Sequence, residues 1–109
     1  MIFPLYFDAD PIVKSGDDSD FTAATSSVEL DGSSATVAIG LNDAVKVGTC
    51  VNFHCTDATN AVTVTFDTSA GGASRNVVTF AAGVSASCLW TGDAGWRVVQ
   101  LDGAESVVA

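Results

Sequence analysis

Positive charge is the first thing this sequence has little of. Lys14, Lys46, Arg75 and Arg97 are its only Lys and Arg residues, against 13 Asp and Glu. Nucleic-acid binding is driven largely by cations that neutralise phosphates, and four scattered cations make no patch for it. The same shortage disfavours an anionic membrane surface. The expected partners therefore include neither nucleic acid nor membrane. The net charge of −9 reads first as solubility. Its sharper reading is docking onto a basic partner surface.

Long apolar runs are also missing. The start, from Met1 to Phe7, stays apolar for only seven residues before Asp8. A spanning helix needs about 20 apolar residues, and a signal peptide needs a basic leader and a longer apolar stretch. No targeting segment is expected. The cysteines, Cys50, Cys55 and Cys88, number three. They cannot all pair within one chain, which argues against a secreted disulfide framework and fits synthesis in a reducing cytoplasm. A cross-strand bond between Cys50 and Cys88 stays open. Straight-chain helix formers are scarce: two Glu, one Gln, one Met and two Lys. Helices favour such residues and strands favour β-branched ones, so the chain reads as all-β.

What is present is period-2 alternation, the mark of half-buried strands. Val28 and Leu30 alternate before the turn Asp31-Gly32. Ala35, Val37 and Ile39 alternate next, and Val45 and Val47 resume after a loop at 40–43. Val51, Phe53 and Cys55 share one face, with Cys50, Asn52 and His54 on the other. Val62, Val64 and Phe66 point one way and Thr63 and Thr65 the other, which reads as antiparallel sheet with one wet face. Val78 and Phe80, then Ala86, Cys88 and Trp90, then Trp96, Val98 and Gln100 complete the pattern. The expected fold is an antiparallel sandwich or small barrel of about seven to nine short strands. At 109 residues one domain is the default.

Residues 1–25 differ from the rest. Both prolines, Pro4 and Pro11, lie there, followed by the acidic stretch Asp17-Asp18-Ser19-Asp20. Proline disfavours ladder positions. The segment divides as an extended N-terminal arm and acidic loop over 1–25, a β-domain over 26–103 and a loose tail over 104–109. Ile2, Phe3, Leu5, Tyr6 and Phe7 are the candidate partner-interface residues of the arm. Its other reading is an edge strand packed on its own core.

The residues that carry chemistry point to no reaction. His54 is the only histidine and no G-x-S-x-G elbow accompanies it. Cys50 and Cys55 are an odd number of residues apart, so on one strand they face opposite ways. No C-x₂-C pair exists to hold zinc. The run Asp17-Asp18-Ser19-Asp20 lacks the glycine and closing Glu of an EF-hand loop, and Asp8 and Asp10 add no such order. Gly71-Gly72 has no adjacent Lys and is no phosphate loop. The expectation is no catalytic residue, no metal and no cofactor, hence not an enzyme.

The stretch from Ala61 to Leu101 resembles small β modules of tailed-phage virion proteins: capsid decoration (cement) proteins, head fibres and tail fibres. The residues that carry the likeness are Val62-Thr63-Val64-Thr65-Phe66, Val78-Thr79-Phe80-Ala81-Ala82-Gly83, and Cys88-Leu89-Trp90-Thr91-Gly92-Asp93-Ala94-Gly95-Trp96-Arg97-Val98-Val99. The resemblance implies a virion structural protein on the capsid lattice. It would form a homotrimer, contact the major capsid protein and be assembled in the host cytoplasm. A fibre needs more length for a shaft, so decoration is favoured. A tail-fibre or receptor-binding module contacting the host surface is the alternative.

Overall fold

Alternating residues that bury every second side chain build nine strands among the described residues. The computed structural model describes residues 11–70 and 76–102, the last two by backbone alone. In chain order the strands are β1 (Ile12–Lys14), β2 (Asp18–Phe21), β3 (Ser26–Asp31), β4 (Val37–Leu41), β5 (Cys50–Asp57), β6 (Val62–Phe66), β7 (Val77–Phe80), β8 (Ser85–Trp90) and β9 (Trp96–Asp102). A single 3₁₀ turn, Gly92–Ala94, separates the last two. They form a five-stranded sheet, β1-β3-β5-β8-β9, and a four-stranded sheet, β2-β4-β6-β7.

The chain crosses from one sheet to the other after every strand from β1 to β5. Each new strand lies parallel to the one two positions earlier: β3 along β1, β5 along β3, β4 along β2 and β6 along β4. The first two-thirds of the protein is thus a flattened coil of three turns, each adding one strand to each sheet. The last third is antiparallel. β7 folds back on β6, β8 runs against β5, and β9 runs against β8.

Of the two expected architectures the two-layered one holds and the closed barrel does not, and the strand direction is corrected: the sheets are mixed, not antiparallel. Alternation reports that one face is buried and the other wet; it does not report strand direction. Parallel sheets usually read as continuous apolar runs because helices cover both faces. Here no helix among the described residues covers either sheet, so parallel and antiparallel strands carry the same pattern. A second correction concerns Val45 and Val47. They do not form a strand but sit in the loop before β5, exposed at 88% and 74%.

The core lies between the layers and holds Val28, Leu30, Val51, Phe53 and Cys55 from one sheet and Val37, Ile39, Leu41, Val62, Val64 and Phe66 from the other. One end of the core is aromatic. Trp90 and Trp96 meet edge to face with centroids 5.5 Å apart, and Phe66 stacks on Trp96 at 6.4 Å. The Trp96 Nε1–H donates to the carbonyl of Asn42 at 2.9 Å. That bond joins the antiparallel end of the chain to a crossing of the coil.

Residues 12–21 belong to the two sheets as their edge strands on one side. Lys14 on β1 reaches Asp18 on β2 at 2.7 Å and sits 4.4 Å from the Phe21 ring centroid. The acidic run expected as a loop is largely strand β2. Ile2, Phe3, Leu5, Tyr6 and Phe7 lie outside the described residues, as does the tail at 104–109.

Candidate functional site

Because the strands bury one face, each sheet presents the other to solvent, and the two outer faces differ. On the five-stranded sheet the register sets side chains in rows across the strands. Glu29, His54 and Ser85 stand opposite one another on β3, β5 and β8. Ser27, Asn52, Ser87 and Gln100 form the next row, and Cys50, Leu89 and Arg97 the third. His54 Nδ1 and Ser85 Oγ share a hydrogen bond of 2.9 Å, and Ser87 Oγ donates to Asn52 Oδ1 at 3.1 Å. The four-stranded sheet shows Ala38, Gly40, Thr63, Thr65 and Thr79, small and uncharged. Gly40 is required there: a Cβ would sit 2.6 Å from the Ser19 carbonyl oxygen, so the β2 backbone approaches only glycine.

The Glu29-His54-Ser85 row has the residue types of a hydrolytic triad but not its setting. Nucleophilic catalysis needs donors aimed at a developing oxyanion in a water-poor site. β5 lies between two strands of the sheet, and His54 is exposed on its outer face. The row is a polar, hydrogen-bonding surface.

The thiols are held apart by the pleat. All three cysteines are free. Cys88 pairs with Val51 on the core side, while Cys50 pairs with Leu89 on the outer side. Burial pushes all three thiols above their ordinary range, Cys88 the furthest. Among the described residues no three His, Cys, Asp or Glu side chains gather so as to hold a metal ion. The Asp17–Asp20 carboxylates are used locally. The Asp17 carboxylate accepts from the Ala38 N–H, Asp18 pairs with Lys14, and Asp20 accepts from Asn42 Nδ2. Gly71 and Gly72 lie outside the described residues.

One feature escaped sequence reasoning. The coil crosses between sheets at the same end twice, through Thr22–Thr25 before β3 and through 42–49 before β5. An open groove of about 410 Å³ lies between these crossings, lined by Thr22, Ala23, Ala24, Thr25, Val45, Lys46 and Thr49. The Cys50 N–H donates to Thr25 Oγ1 at 3.1 Å, and Thr49 Oγ1 donates to the Lys46 carbonyl at 2.7 Å, fixing both walls. Gly48 adopts a φ of +91° and marks a turn where the alternation of Val45 and Val47 suggested a strand. No protein-family model matches this chain, and no curated protein matches it.

Proposed function

We propose that this protein is a structural component of a tailed-phage virion, binding the outside of the capsid lattice as a decoration or cement protein and stabilising the particle. Its partners are copies of itself, as a homotrimer, and the major capsid protein. It is assembled in the host cytoplasm and acts on the virion surface, without catalysis or a cofactor. The observation that carries the reading is the unit from β6 to β9. The stretch that resembles virion modules supplies the antiparallel strands that close both sheets, and its Trp90–Trp96 pair lies at one end of the core. A two-layer sandwich with wet outer faces suits a surface-bound module.

Labelled protein added to phage particles tests this. Extra density on the outer capsid surface, three copies per site, is the expected result. Density confined to the tail, or no binding to capsids, rejects decoration. The tail-fibre or receptor-binding alternative draws support from the polar rows around Asn52 and His54. It requires that the isolated protein bind host cells, and that paired substitutions on this face abolish the binding.

A further inference from the structure

The three parallel strands β1, β3 and β5 all begin at one end of the five-stranded sheet. The groove lies at that end, between the segments that lead into β3 and β5. The segment that leads into β1 is residues 1–10. Its root therefore lies one strand from the entry to β3 and two from the entry to β5, about 5 and 10 Å away at ordinary strand spacing. Fully extended, ten residues reach about 33 Å.

Two properties of the groove match that segment. Its lining includes Ala23, Ala24 and Val45, and Val45 is 88% exposed. Residues 2–7 offer five apolar or aromatic side chains, Ile2, Phe3, Leu5, Tyr6 and Phe7, with Asp8 and Asp10 just behind them. The groove carries Lys46, one of only four cations in the chain. An apolar segment followed by carboxylates thus meets an apolar wall beside an ammonium. Pro11 at the root disfavours a helical turn in the residue before it.

We propose that residues 2–7 of one copy dock in the groove between Thr22–Thr25 and Val45–Thr49 of a second copy, with the carboxylates of Asp8 and Asp10 toward Lys46. This rests on the reading of the protein as one that assembles with itself, and it names the receptor for the arm. Around a ring each copy gives one arm and receives one. Such a head-to-tail contact closes where the rotation permits.

A photo-crosslinking residue in place of Phe7, in a full-length mixture of ¹⁵N-labelled and unlabelled copies, tests it. Crosslinks joining heavy to light peptides, with the acceptor at 22–25 or 45–49, are the expected result. Crosslinks within one copy, to any other surface, or none at all overturn the proposal. Val45→Asp provides a second measurement. Because the side chain is exposed, the melting temperature should stay unchanged while self-association weakens on the order of tenfold or more, as for an interface anchor. Unchanged association overturns the groove. Deleting residues 1–10 separates this failure from failure of the assembly reading. If truncation still abolishes self-association while Val45→Asp does not, the arm docks elsewhere and assembly stands. If truncation leaves association intact, both fall.

Discussion

The two parts of this molecule are built by opposite rules. In the coil from β1 to β6 every neighbour in a sheet comes from the previous turn, with another strand in between. In the closing part β7, β8 and β9 are antiparallel additions, two of them next to their predecessor in sequence. Parallel strands need a crossover, and non-local pairing carries a loop-closure cost before contacts repay it. The coil meets that requirement by using the opposite sheet as its crossover, so no helix is needed. The closing part supplies a local hairpin and the aromatic pair. A coil left at β6 would expose the growing edges of both sheets, and the antiparallel strands cover them.

The largest test of this contrast is Trp96→Ala. Trp96 is fully buried, touches Trp90 and Phe66, and donates its indole N–H to Asn42 in the coil. Removing a buried Trp costs about 3–5 kcal/mol, and this one joins the two parts. Chemical denaturation should show that loss in one cooperative transition, with labelling of Cys88 following the same curve. Cys88 is buried on β8, and its raised thiol reacts only when the core opens. If the closing strands come away while the coil keeps its structure, the two parts are independent and the contrast is one of stability as well as topology.

A smaller effect is expected from Gly40→Ala. The new methyl group would meet the Ser19 backbone at 2.6 Å, so β2 must shift off β4. Overpacking of this kind costs about 1–3 kcal/mol. Because β2 is an edge strand, the damage should stay local. Hydrogen exchange should accelerate across Asp18–Phe21 and hardly change in β5 or β8. Uniform acceleration would mean that the first turn of the coil is integral to the whole.

How much of this was legible in sequence depends on which physical quantity left a mark. Burial did: Val51, Phe53 and Cys55 inward and Cys50, Asn52 and His54 outward follow from alternation alone. Strand direction did not, because β6 presents Val62, Val64 and Phe66 to the core whether its neighbour is parallel β4 or antiparallel β7. The loop at 44–49 misled because Val45 and Val47 alternate there without being buried. The groove itself arises from two crossings, separated in sequence by β3 and β4, that topology alone brings together. Only the turn at Gly48 was written locally.

The smallest expected effect probes the edge where the coil begins. Lys14 on β1 and Asp18 on β2 bridge the two sheets at their open side. The hydrogen bond from Lys14 holds the Asp18 carboxyl below its ordinary value, helped by the N–H of Asp20. A carboxyl lowered in the folded state favours folding above its unfolded value and loses that contribution as pH falls through the folded one, here below about pH 4. The pair is on the surface, so its effect on stability is slight. The titration itself is the sensitive readout. In Lys14→Ala the Asp18 midpoint, followed by carboxyl carbon NMR, should rise toward the ordinary aspartate value without fully reaching it, because the Asp20 N–H remains. Asp57, lowered by hydrogen bonds from Thr59 and not by Lys14, should keep its midpoint and serves as the control. An unmoved Asp18 would mean that Lys14 does not span the sheets in solution. The first turn would then be held to the body by its ladders, its contacts to Ala38 and Asn42 and the packing of Phe21, with no bridge between its own two strands.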